Sequence, residues 1–345
     1  MKTTISMKVM KKITVGLAAA VLLLTTGVLT SCTEKSENPS DGSAAALTKV
    51  RFLLDWVPNT NHTGVYVAKA KGYFAAEGLD VEIIQPAEDT GVEMVAAGQA
   101  EFAVTFQETV TMARTAPTPL GVKAIAAIIQ HNTSGFACKN DQGIQSVKDL
   151  EGKRYGGWGT DLEEKIIGKI MRDFGADPST VEIQRDGSYD FVAGLGHTFD
   201  FSWIYYGWEG IAAEVKGVDI NFLPWQQLAP ELDFYTPVII TGDQLIEEQP
   251  ELIQKFMRAV TKGYQDCIND PQGNVEHLLQ GAPETDRDIA MASAIYLADK
   301  YQSDAVRWGE MKQEVWQSFA DFLHDNGIIE RDLVAADAFT NQFLP

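Results

Sequence analysis

The chain has 345 residues, 45% of them hydrophobic, with 28 Lys and Arg against 48 Asp and Glu and only three cysteines. A formal charge of −20 excludes a surface made for nucleic acid or bulk anionic lipid. So few cysteines in so long a chain exclude a disulfide framework, and Cys138 and Cys267 are expected as two separate thiols.

The first 31 residues read as a secretory signal. Lys2, Lys8, Lys11 and Lys12 form a basic start, an apolar run follows, and "LTSC" ends at Cys32. That ending resembles a bacterial lipobox, in which the cysteine is acylated and becomes the new N-terminus. More than one acyl chain, at about 0.8 kcal/mol per buried methylene, makes a stable anchor. The expected location is therefore the extracytoplasmic face of the cell membrane. Residues 32–47 are polar and serve as a flexible tether. Beyond the signal, 24 basic residues face 48 acidic ones. No Arg or Lys cluster prepares a pocket for a polyanion.

The folded part opens on "KVRFLLDWVPNT". Val50, Phe52 and Leu54 alternate as a strand does, and Pro58 breaks the run into a loop. "HTGVYVAKAKGYFAAEG" follows as a helix ended by Gly78, and "LDVEII" is a second strand. Strand, loop, helix and strand in this order predict an α/β fold with parallel strands. The segment starting at Val81 is echoed by the one starting at Val181. Gly98 corresponds to Gly196, Glu101 to Asp200 and Phe102 to Phe201. Two similarly built lobes are expected. "KAIAAIIQHNTSGFACK" crosses from one to the other and "DFYTPVIITGD" crosses back. The expected bounds are 48–135 plus 242–345 for lobe I and 136–241 for lobe II. The remainder is helical by period, with Leu252, Ile253, Phe256, Met257, Val260 and Tyr264 in one packing stripe.

Ligands of α/β folds sit beyond the carboxyl ends of strands. Four loops lie at such junctions. The first, "DWVPNTNHTG", brings Trp56, Asn59 and His62, and the second, "TFQET", brings Phe106 and Gln107. The third, "YGGWGTDLEE", brings Gly157, Trp158, Glu163 and Glu164. The fourth is the aromatic run "DFSWIYYGWEG", with Trp203, Tyr205, Tyr206, Trp208 and Glu209. The third loop has no Lys–Ser/Thr pair and is not a P-loop. Its acidic helix start would repel phosphate, and Thr160 with Glu163 fits a capping box. A neutral or cationic ligand is expected, read by polar groups among Asn59, Glu163, Glu164, Glu209 and Asp233 with hydroxyls from Tyr189, Tyr206 and Tyr235. No His pair has zinc-ligand spacing and no Gly-x-Ser-x-Gly elbow is present. Neither a metal nor a cofactor is expected.

"FLLDWVPNTNHTGVYVAKAKGYFAAEGLDVEII", "GKRYGGWGT", "FDFSWIYYGWEGI" and "LIQKFMRAVTKGY" resemble the solute-binding lipoproteins of ABC importers for thiamine pyrimidine precursors. These are similar in turn to the fungal thiamine pyrimidine synthases. The resemblance implies a two-lobed, type II-like periplasmic-binding-protein fold with two crossovers, closing on its ligand. It also implies permease and ATPase partners, a monomeric chain and no turnover. The synthases carry a cysteine-rich iron-binding motif and a cofactor-bearing lysine. The corresponding stretches here, "QQLAPELDFYTPVII" and "TFQETV", have neither. A flat aminopyrimidine, neutral near pH 7, suits the aromatic loops; riboflavin and other heteroaromatic or organosulfur solutes are bound by related proteins.

Overall fold

The computed structural model describes residues 46–86, 90–184 and 190–345. Cys32 and Tyr189 lie outside these residues. Among them no helix is long and apolar enough to cross a membrane.

Two five-stranded sheets organise the chain. Strands β1 (Thr48–Leu53), β2 (Leu79–Ile84), β3 (Phe102–Thr105), β4 (Val122–Ala127) and β10 (Val238–Gly242) form the first, in the order β2-β1-β3-β10-β4. Strands β5 (Ser134–Lys139), β6 (Arg154–Gly156), β7 (Glu182–Gln184), β8 (Phe201–Tyr205) and β9 (Ile220–Pro224) form the second, in the order β7-β6-β8-β5-β9. The first three strands of each order are parallel, and the fourth is antiparallel to both its neighbours.

The sequence echo is thus a repeat in space. Phe102 pairs with Phe52 of β1, and Phe201 pairs with Tyr155 of β6. Before each stands a carboxylate that receives the backbone N–H and guanidinium of the neighbouring strand's arginine, Arg51 to Glu101 and Arg154 to Asp200. Gly98 and Gly196 take the left-handed turn ahead of these strands, at φ 68° and 78°.

Both faces of the first sheet are covered. On one, Phe256 of helix Pro250–Asn269 stacks against Phe102 at 3.9 Å, with Phe52 and Phe74 at 5.7 and 5.4 Å. Each buried Phe contributes about 1.5–3 kcal/mol. On the other, Val92, Val95 and Val110 pack with Trp316. In the second sheet Phe201 and Trp203 face one core with Phe136 and Trp225, while Ile204 faces the opposite one with Phe199.

Three expectations change. The strand Val238–Gly242, which the expected bounds place in lobe II except for Gly242, is paired within the first sheet. It is buried throughout, and such a run carries no periodicity to say which sheet it enters. Helix Gln313–Asp325 serves both lobes, with Trp316 and Ala320 in a first-sheet core and Phe319, Phe322 and Leu323 in a second-sheet core. The helix after β1 is two short helices, Thr63–Ala70 and Tyr73–Ala76, parted at Gly72. The two thiols behave as expected: Cys138 on β5 and Cys267 in helix Pro250–Asn269 are buried and unpaired with each other.

The chain passes between sheets at 128–133 and returns at 225–237. The two passages are bound side by side. Asp233 accepts the Asn132 N–H at 2.8 Å, and Leu232 accepts Asn132 Nδ2 at 2.7 Å. His131 Nδ1 meets Asp233 at 2.7 Å and Nε2 meets Asp304 at 3.0 Å. The two carboxylates hold the imidazole proton, Asp233 most, and push its pKa up to about 9 despite partial burial.

Candidate functional site

The carboxyl ends of β1, β3, β6 and β8 carry the four aromatic loops. The structure brings rings from three of them together. Phe106, after β3, lies nearly parallel to Tyr205 at the end of β8, with centroids 6.2 Å apart and planes at 14°. Trp158, after β6, stands edge-on to Trp203 at 5.1 Å and lies 6.3 Å from Tyr205. Trp203 is backed by Trp225 at 4.3 Å. The two sheets therefore meet through rings, Phe106 from the first and Trp158, Trp203 and Tyr205 from the second. Trp56 stands on the loop after β1 and is 57% exposed; Trp158 is 42% exposed. Large rings left open at strand ends are costly unless something covers them.

Polar groups accompany the rings. The Trp203 indole is 5% exposed and its N–H has no hydrogen-bond partner among the described residues. Glu209 accepts the Tyr205 backbone N–H at 3.1 Å, and burial pushes its carboxyl up to about 7. The Tyr205 hydroxyl accepts from Thr236 at 3.3 Å; burial first, then the nearby Glu108 charge, raises it well above the ordinary phenol range. Glu108, buried in the first turn of helix Gln107–Thr115, was not singled out by sequence. Its position one turn after the β3 end was the available signal.

Several expected ligand groups are occupied within the protein. Glu163 accepts from Tyr155 Oη at 2.6 Å, Trp158 N at 2.9 Å, Thr160 N at 2.7 Å and Thr160 Oγ1 at 3.0 Å. Four donors fill a carboxylate. Instead of reaching a ligand, Glu163 fixes the loop that presents Trp158. Gly157 belongs to the same lock, because a Cβ there would lie 2.0 Å from Glu163 Oε1. Glu164 is half-buried in the first turn of helix Asp161–Asp173.

The loop after β1 is locked in a similar way. The Asn59 N–H donates to His62 Nδ1 at 3.2 Å, so the ring proton sits on Nε2 and donates to Asp55 at 2.6 Å. Asn59 itself caps the turn by accepting the Asn61 N–H. Gln107 is spent on the Tyr235 backbone and the Val315 carbonyl. The Tyr235 hydroxyl accepts the Lys312 N–H at 2.9 Å, and Asp233 serves the crossover described above. Tyr206 and Trp208 have packing partners of their own. Tyr206 packs on Phe222 and Tyr296, and Trp208 packs beside Ala290 and Ala294 of helix Arg287–Leu297. Among the described residues no group of three His, Cys, Asp or Glu side chains is placed to hold a metal ion.

Comparison with known proteins adds relatives. A family model described as NMT1/THI5 like matches residues 59–274. The chain is 29% identical over 328 residues to a formylaminopyrimidine-binding protein of Halalkalibacterium halodurans, covering 93% of this chain and 97% of that one. It is 25% identical to the riboflavin-binding protein RibY of Chloroflexus aurantiacus, over 89% of both chains. It is 24% identical to a 4-amino-5-hydroxymethyl-2-methylpyrimidine phosphate synthase of Legionella pneumophila, over 86% of this chain and 92% of that one. Among solved structures, the periplasmic aliphatic sulphonate binding protein SsuA of Escherichia coli superposes with a TM-score of 0.65 at 14% identity, over 84% of this chain and 91% of that one. The fold is that of the periplasmic binding proteins, as the sequence led one to expect.

Proposed function

Because this chain belongs to the NMT1/THI5-like family, we propose that it is the extracytoplasmic solute-binding subunit of an ABC importer and that it captures a thiamine pyrimidine precursor. The observation that carries this reading is the meeting of Phe106, Trp158, Trp203 and Tyr205 at the strand ends of both sheets. Rings from two walls suit a flat heteroaromatic ligand, and lobe closure encloses it. The binding-protein relative named for formylaminopyrimidine, aligned over nearly the whole chain, supports the same ligand class. Stacking supplies only about 0.5–1.5 kcal/mol per ring pair beyond burial. Micromolar affinity needs about −8 kcal/mol, so polar readers must add the rest. The unpartnered Trp203 N–H and the Glu209 carboxyl fill that role.

A relative named as a synthase favours a second reading, an enzyme. Against it stand the cysteine-free stretch 226–240, the lysine-free loop after β3 and the lack of a metal-holding cluster among the described residues. The test is titration calorimetry of the purified protein against formylated aminopyrimidine, hydroxymethylpyrimidine, thiamine and riboflavin. The first is expected to bind tightest. Tightest binding of riboflavin transfers the reading to a flavin carrier, and turnover of any of them transfers it to an enzyme.

Glu209 makes the affinity depend on pH. With its carboxyl held at about 7, it keeps a proton available at neutral pH. The acid O–H donates to a ring nitrogen while its other oxygen accepts the exocyclic amine. Affinity is expected to be flat below pH 7 and to fall toward about tenfold per pH unit above it. Glu209→Gln keeps a donor and an acceptor and should flatten the profile. A wild-type affinity unchanged from pH 6 to 9 rejects this role. The ligand-free protein follows the same sign: the raised carboxyl contributes stability below the ordinary carboxylate range, lost as pH rises through about 7.

The proposed anchor is Cys32. Intact-mass measurement of protein extracted from native membranes should show loss of residues 1–31 and the added mass of acyl chains. An unmodified chain with the signal still attached contradicts it.

A further inference from the structure

Ser293 lies in helix Arg287–Leu297 with no solvent exposure. Its hydroxyl donates to the Gly207 carbonyl in the turn Tyr206–Gly210. It also lies 2.5 Å from Thr60 Oγ1, in the loop after β1. A carbonyl can only accept, so the single Ser293 proton goes to Gly207 and the Thr60 hydroxyl donates to Ser293. Thr60 is held in turn, since its carbonyl accepts from Tyr301 Oη at 2.7 Å and Thr63 Oγ1 at 2.9 Å. A directed chain of hydroxyls therefore runs from the loop bearing Trp56 to the turn that follows Tyr205 and bears Glu209.

The same contact is close-packed. A Cβ on Gly207 would lie 2.8 Å from Leu297 Cδ2, so the turn sits against the helix with no room for a side chain. Trp208 and Ile211 fill the flanks, Trp208 among Leu278, Ala290 and Ala294, and Ile211 beside Ile289. The helix is carried by the first lobe, because it packs on Pro271–Gly281, which packs on Thr63–Ala70. The turn follows β8 of the second sheet. Tyr206 and Trp208 of the aromatic run thus belong to a contact between lobes.

We propose that Ser293 is a positioning residue that sets the spacing of the two cleft walls by joining Thr60 of one to Gly207 of the other. It touches no part of the aromatic cluster and acts through the two segments it ties. The proposal rests on the reading of that cleft as the ligand site. Spacing then enters affinity, because a flat ring stacked from two walls tolerates little change in their separation.

The test is Ser293→Ala with Thr60→Ala and the double variant, each as the full chain. Hydrogen–deuterium exchange without ligand should quicken about tenfold in both segments 54–62 and 205–210 of Ser293→Ala, as expected for the loss of one buried hydrogen bond at each wall. Exchange in the 250–269 helix should stay at the wild-type rate. Affinity for formylated aminopyrimidine should fall about tenfold in either single variant and little further in the double, since the two hydroxyls act as one chain. Wild-type exchange in either wall of Ser293→Ala overturns the proposal, even if the melting temperature falls, because that is the behaviour of an ordinary core serine. Faster exchange in both walls with unchanged affinity also overturns it. If wild-type protein binds none of the four heteroaromatic compounds, the ligand reading fails, and the ligand-free exchange still decides the role of Ser293.

Discussion

Trp158→Ala is expected to weaken capture of the aminopyrimidine by about thirtyfold to a thousandfold, the equivalent of about 2–4 kcal/mol for a ring at the centre of a binding surface. The ring is 42% exposed without ligand and stands edge-on to Trp203. Its loop is held by Glu163 from within and gains little from the indole itself. Truncation should therefore leave the fold intact and remove a ligand surface. Trp56→Ala should act in the same direction, since that indole is 57% exposed on the loop after β1. The check is calorimetry on both variants after circular dichroism has shown them folded. Wild-type affinity in both would confine the ligand to the Phe106–Tyr205 pair.

Trp308→Ala should do the reverse, with a stability loss of about 3–5 kcal/mol and an affinity close to wild type. Trp308 has no exposure, lies flat on Tyr264 at 4.3 Å and donates its indole N–H to the Ile128 carbonyl at 3.3 Å. Its removal leaves a cavity between helix Pro250–Asn269 and the first passage between sheets. Denaturant unfolding followed by calorimetry at a temperature well below melting separates the two effects. A large affinity loss with little destabilisation would show that the residue belongs to the site.

The aromatic run explains how far the sequence could be read. Its density of rings marked it as a candidate ligand surface, and in the fold Phe201 and Trp203 share one core. The run then serves three purposes: core at Phe201, cleft at Tyr205 and lobe contact at Tyr206 and Trp208. Nothing local distinguishes these, because the division depends on what the far C-terminal helix brings opposite them. The lobe repeat was legible since Gly98/Gly196 and Glu101/Asp200 meet the same backbone requirement twice. The carboxylates were harder. Glu163 and Asp233 looked free to meet an amine, yet each is taken up by donors from its own loop or from residues about a hundred positions away. Glu209 is the contrasting case, a carboxyl that accepts the Tyr205 backbone N–H and is raised by burial.

The most direct test of the account is a titration of the full chain with formylated aminopyrimidine in the calorimeter, with the recovered compound then analysed by mass. Saturable one-to-one binding at micromolar affinity or tighter, with the compound returned unchanged, is the predicted result. Absence of heat across the accessible concentration range, or recovery of a chemically altered compound, would contradict it.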